Sequence, residues 1–157
     1  MQIGDGGLTG SILGDVVNDG TLVLNRAGAL TLAGNISGAG GLRQIGAGAV
    51  TLAGDNSYGG GTELRAGALQ VSRDANLGAA SSALVFTGGS LATTADFATS
   101  RSATLSQTAG IDVAAGTTLA MSGQLSGPGS LLKTGDGTLR LTGAGNAYGG
   151  TWCAPAR

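Results

Sequence analysis

The residues able to do chemistry are few and scattered. There is no histidine, which removes His-based triads, imidazole metal ligands and Cys-His pairs together. Cys153 is the only cysteine; without a base it is no activated nucleophile, and without a partner it closes no internal disulfide. Carboxylates remain, and two of them flanking a sugar bond could hydrolyse it, or several around calcium could serve a lyase. Asp15 and Asp19 are near neighbours, while Asp55, Asp74, Asp96, Asp112 and Asp136 are dispersed. Most read as turn or capping residues whose carboxylates bond nearby backbone amides. Gly4-Asp5-Gly6 and Gly135-Asp136-Gly137 look like pieces of calcium-binding repeats, but the nonapeptide never recurs in tandem. Between Gly127 and Thr134, Leu132 stands where a phosphate loop needs glycine before its lysine, so that stretch reads as a strand. Asn35-Ile36-Ser37 fits a glycosylation acceptor and reads as a corner. We therefore expect no catalytic residues, no metal ligands and no cofactor.

Function must then come from shape, and composition limits the shapes. Of 157 residues 32 are glycine; 41% are hydrophobic, 3% aromatic and 11% charged. Small aliphatic side chains have to build any core. Irregular glycine spacing and only two prolines exclude collagen, and the apolar fraction is too high for a solvated, disordered chain. Net charge is −1, with the eight basic residues placed singly, so no basic stripe awaits nucleic acid and we expect no such partner. No apolar stretch approaches the roughly 20 residues of a membrane-spanning helix. The opening residues, Met1-Gln2-Ile3-Gly4-Asp5-Gly6, carry neither the basic nor the apolar region of a secretion signal; the address of a secreted protein would lie outside this chain.

The organising feature is a duplication. Leu30-Thr31-Leu32-Ala33-Gly34-Asn35-Ile36-Ser37-Gly38 aligns with Leu119-Ala120-Met121-Ser122-Gly123-Gln124-Leu125-Ser126-Gly127 at an offset of 89. The alignment continues through Gly46-Ala47-Gly48-Ala49-Val50-Thr51-Leu52 on Gly135-Asp136-Gly137-Thr138-Leu139-Arg140-Leu141, and ends with Asn56-Ser57-Tyr58-Gly59-Gly60 on Asn146-Ala147-Tyr148-Gly149-Gly150. A shorter period lies inside it: Leu22 to Leu42, Leu30 to Val50 and Leu119 to Leu139 are each 20 apart, and Val50 to Leu69 is 19. Triplets such as Leu22-Val23-Leu24 alternate with period two, placing their outer pair on one face of a strand. Glycine corners separate them, and the same glycines disfavour helices. A unit of about 20 residues owns no core, so it must stack on its neighbours. The expectation is an all-β, single-stranded parallel β-helix with Leu22 over Leu42 and Leu30 over Val50. The stretch 72–110 is less regular, and since 89 is no whole number of such coils, the offset reads as about four coils with an insertion.

From Gly40-Gly41-Leu42 through Asp55-Asn56-Ser57-Tyr58-Gly59-Gly60-Gly61-Thr62, with Arg65-Ala66-Gly67-Ala68-Leu69 after it, the chain resembles the passenger-associated transport repeat of bacterial autotransporters. A second copy runs over 127–151. The resemblance implies a right-handed parallel β-helix, exported across the outer membrane by its own carboxy-terminal β-barrel, with repeats that support transport, and a cell-surface or secreted location. On this reading residues 1–151 are a β-helix segment with copies near 30–71 and 119–151 and a less regular centre near 72–110. Residues 152–157 form an aberrant tail. Where the repeat calls for a Leu/Val pair and Arg-Ala-Gly, the chain has Trp152-Cys153-Ala154-Pro155-Ala156-Arg157. GC-rich codons for that tail, shifted by one restored C, read Leu-Val-Arg-Ala-Gly-Thr, so we expect a frameshift there.

The leading functional reading is a non-catalytic structural segment of a passenger, supporting export and forming a surface stalk. The alternative is an adhesin-type module whose irregular centre, around Phe86 and Phe97, contacts host glycan or protein. A carbohydrate-active β-helix enzyme is third.

Overall fold

The computed structural model describes residues 1–154. Alternating triplets become strands because one of their faces can be buried and the other cannot: in Thr21–Leu24, Leu22 and Leu24 are fully buried while Val23 between them is half-buried. Every strand pairing among the described residues is parallel. The chain winds through three faces in turn and returns one strand further along, giving a solenoid of about eight turns. Gln2–Ile3, Thr21–Leu24, Gly41–Gln44, Thr62–Leu64, Leu84–Phe86, Ala103–Leu105 and Leu125–Ser126 stack as the first face. Leu30–Leu32, Ala49–Leu52, Ala68–Val71, Ser90–Thr93, Ala109–Val113, Leu131–Thr134 and Thr151–Cys153 stack as the second. The third holds Val16–Val17 on Ile36–Ser37, then a corner at Asn56 and a 3-10 turn at Asp74–Leu77, then Phe97–Thr99, Thr118–Met121 and Thr138–Leu141.

The expected ladders are present: Leu22 pairs with Leu42, Leu30 with Val50, Val50 with Leu69, and Leu119 with Leu139. Burying each aliphatic contributes roughly 1.5 to 3 kcal/mol, and leucine supplies most of the core. The winding is uneven along the first-face ladder of Leu22, Leu42, Thr62, Leu84, Ala103 and Leu125. Its first two steps are equal, the step from Thr62 to Leu84 is longer, the step to Ala103 is shorter, and the step to Leu125 is long again. The offset of 89 follows from these steps and a change of face. Leu42 lies on the first face, and its counterpart Leu131 on the second, one face beyond Leu125. The copies are therefore separated by four coils and one face, with no discrete insertion between whole numbers of coils. Three faces of similar length allow this, since a strand and corner that fit one face fit the next.

Candidate functional site

The residues that define the duplication are engaged by neighbouring backbone or side-chain groups, and in the same way in both copies. Asn56 Oδ1 accepts the Ile36 amide at 2.8 Å, and Asn146 Oδ1 the Leu125 amide at 2.9 Å. Tyr58 Oη shares a proton with Thr62 Oγ1 at 2.7 Å, and Tyr148 Oη with Thr151 Oγ1 at 2.8 Å. At the second inward ladder position Gln44 Nε2 donates to the Gly46 carbonyl at 3.2 Å, where Lys133 Nζ donates to that of Gly135 at 2.7 Å. Ile36 and Leu125 are strand residues paired on one side, and on the other the asparagine of the next winding takes the place of a ladder partner; the Gly46 and Gly135 carbonyls lie just past strand ends. Gly78 closes over the first corner. Its φ is +84°, and a Cβ there would lie 2.6 Å from the Tyr58 carbonyl oxygen. Burial pushes the Tyr58 phenol up to about 12, against the opposing pulls of the Thr62 hydrogen bond and the Arg101 charge.

Asp15, Asp19 and Asp96 lie between strands, where turn chemistry is expected, but they reach across coils, whereas Asp112 lies within Ala109–Val113 and Asp74 in the 3-10 turn. Asp15 Oδ1 accepts the Asn35 amide at 2.7 Å, Asp19 the Ala39 amide at 3.0 Å and Asp96 the Thr118 amide at 2.6 Å. Each amide belongs to the next winding, so these bonds tie coils together axially, which local turn chemistry does not anticipate. Among the described residues no three of Cys, Asp and Glu come together closely enough to hold a metal. Cys153 is exposed at the edge of the second face, in a strand, Thr151–Cys153, that pairs with Leu131–Thr134, and the last part of the tail expected to be aberrant, 155–157, lies outside the described residues.

Sequence reasoning missed Arg101. Its side chain is 1% exposed, and every guanidinium nitrogen is engaged. Nε and Nη2 take the Asp74 carboxylate at 2.8 and 3.1 Å; Nη2 also donates to the Gly78 carbonyl at 2.7 Å, and Nη1 to Ala79 O at 2.5 Å and Ser82 Oγ at 2.8 Å. A buried charge is tolerable only when so compensated. The arginine fastens residues 74–82, where a 3-10 turn and an outward turn replace the third-face strand. The signal available was the loss of the even coil period there, together with an arginine just after the inward Thr99.

Phe86 and Phe97 do not make the expected contact ridge. Phe86 is fully buried in the first-face ladder and Phe97 packs against the core, because both occupy strand positions where a large apolar group is sheltered. What does open to solvent is a groove of about 580 Å³ across the first face, lined by Thr21, Arg43, Gly60, Glu63, Ser81 and Val85 among others. Glu63 lies between two arginines, with Arg43 Nε at 2.6 Å and Arg65 Nε at 2.5 Å. Partial burial would raise its carboxyl, but the hydrogen bonds from Arg65 and Arg43 and their charges outweigh this and hold it below the usual range.

Comparison with known proteins matches this architecture to a repeat. A sequence profile described as passenger-associated-transport-repeat matches residues 42–71 and 131–152. The two matches start at Leu42 and Leu131, the corresponding ladder residues on different faces. The adhesin BmaC autotransporter of Brucella suis biovar 1 (strain 1330) is 43% identical over 90 residues, 57% of this chain and 3% of that protein. The chain thus spans a small fraction of this relative's length. No solved structure matches it.

Proposed function

We propose that the chain is a segment of an autotransporter passenger, as its passenger-associated transport repeats and its adhesin relative support, and that its work is mechanical: a non-catalytic stretch of surface stalk whose coils support export through the protein's own carboxy-terminal β-barrel. The observation that carries this is where the repeat's characteristic side chains point. Asn56 and Tyr58 are buried and bonded inside the coil, so these two side chains specify a corner and face no substrate. A finished coil presents a row of unpaired amides and carbonyls and an apolar end. The next coil to emerge satisfies both, and folding on the far side of the membrane then opposes backsliding. Adhesion, which the relative's name attributes to that protein, is a second reading for this chain, favoured by the groove on the first face.

The test places the chain ahead of an outer-membrane β-barrel translocator and measures the fraction reached by external protease. Asn56→Ala combined with Tyr58→Phe is expected to lower surface exposure several-fold while Arg140→Ala leaves it unchanged. Full surface exposure of the double variant, despite lowered stability of the purified chain, would sink the export role.

A further inference from the structure

The first-face groove is a built feature of the rod. Its floor is the outward row Arg43, Glu63 and Val85, side chains in register on consecutive coils, spaced about 4.8 Å apart along the axis. One flank is the corner at Gly59, Gly60 and Gly61, where missing side chains let windings approach closely; a Cβ on Gly60 would stand 2.5 Å from the Gly41 nitrogen. One coil on, the same corner rises into a rim because the coil from Thr62 to Leu84 is longer than the one before it, from Leu42 to Thr62, so that Ala80 and Ser81 stand outward and exposed. That rim is fixed from beneath, since Arg101 holds the carbonyls of Gly78, Ala79 and Ser82. Its volume falls within the range of ligand clefts, about 300 to 1,000 Å³.

We infer that this groove binds a carboxylated saccharide, with Arg43 as the carboxylate contact. Two arginines share the single carboxylate of Glu63, so the cluster carries one uncompensated positive charge. Arg43 gives only its Nε to Glu63, which leaves both Nη groups of a guanidinium that suits planar, two-point recognition of a carboxylate. The hydroxyls of Thr21 and Ser81 and the glycine backbone at Gly60 match sugar hydroxyls, and Leu42, Ala83 and Val85 add apolar surface of the kind a sugar ring face can cover. A peptide fits less well. Strand addition needs a free sheet edge, whereas Gly41–Gln44, Thr62–Leu64 and Leu84–Phe86 are each paired on both sides. This inference goes beyond the mechanical role and does not depend on it.

The experiment titrates the purified chain with oligogalacturonate, its fully methyl-esterified form and a glutamate oligomer of equal charge, by calorimetry. The acid sugar is expected to bind, the neutral ester and the peptide roughly tenfold or more weakly, and raising salt from about 50 to about 300 mM to weaken the acid sugar further. Arg43→Ala should abolish the tenfold preference, and Ser81→Trp, a change at an exposed rim position, should block the groove with the melting temperature unchanged. Absent binding, equal binding of the ester, or binding indifferent to both variants overturns the assignment. Equal binding of the peptide overturns it in favour of an acidic protein partner. Arg43→Ala should still be exported normally from the translocator fusion, so loss of one proposal leaves the other standing.

Discussion

The two matched repeats have the same corner but different surroundings. Residues 42–71 are covered on both sides by further coils, whereas 131–152 belong to the last windings described. Tyr58 is 0% exposed, and Tyr148 makes the same bond to its threonine while only half-buried. Leu52 is 1% exposed, whereas its counterpart Leu141 is only partly buried. The local hydrogen bonds thus follow from the sequence motif alone, even on a different face of the rod, while burial depends on the neighbouring coil. The motif fixes geometry, and stacking supplies most of the stability.

The largest predicted effect lies between the copies, at the irregular coil. Arg101→Met removes a buried cation and leaves the Asp74 carboxylate and four backbone carbonyls, those of Asp74, Gly78, Ala79 and Ser82, each short of a partner. A loss of about 4 kcal/mol in unfolding free energy is expected, measured by urea denaturation. A loss under about 1 kcal/mol would show that the 74–82 turn is held by packing instead. Next, Leu52→Ala should cost about 3 kcal/mol and Leu141→Ala about 1, since only the first leaves an enclosed cavity. Equal costs would mean that the final coil is as well covered as the middle ones.

Much of this organisation was legible in the sequence, and the part that was not has a physical explanation. Leu22, Leu42, Leu30 and Val50 could be assigned to ladders because strand alternation has period two and the coil itself repeats. The meaning of the long offset between the copies could not, because coils of unequal length hide a one-face rotation inside ordinary length variation. Arg101 and Phe86 were misjudged for related reasons. An arginine can sit inward if enough carbonyls surround it, and Phe86 continues a ladder that its own short triplet, Leu84-Val85-Phe86, encodes. The aspartates bond amides one whole winding further along the chain, a separation that no local turn rule covers.

Alkaline pH probes the covered copy through its buried tyrosine. The Tyr58 phenol is raised to about 12 by burial, above an unfolded value near 10. Between those values the unfolded chain releases a proton that the folded chain keeps, so stability is intact below pH 10 and falls as pH rises towards 12. The loss approaches about 2.7 kcal/mol. Tyr58→Phe should remove this limb, at a cost near neutral pH of about 1.5 kcal/mol for leaving Thr62 Oγ1 buried without its partner. Denaturation midpoints recorded from pH 8 to 12 for the parent chain and Tyr58→Phe decide it, and a limb that survives Tyr58→Phe would assign the proton elsewhere.

The smallest effect expected is at Asn146. Its carbonyl accepts the Leu125 amide just as that of Asn56 accepts the Ile36 amide, yet Asn146 is exposed, and water can replace it at the freed amide. Asn56 also donates to the Asn76 carbonyl at 2.6 Å inside the core, where no water substitutes. Asn146→Ala should therefore cost under about 1 kcal/mol and Asn56→Ala about 2 to 3. If the two costs were equal, the hydrogen bond itself and not its enclosure would set the stability of a corner, and a lone repeat could hold its shape without neighbours. The shortness of the repeat argues otherwise: a single coil has no interior until another lies on it, so the same asparagine gains its full effect only when the next winding has folded over it.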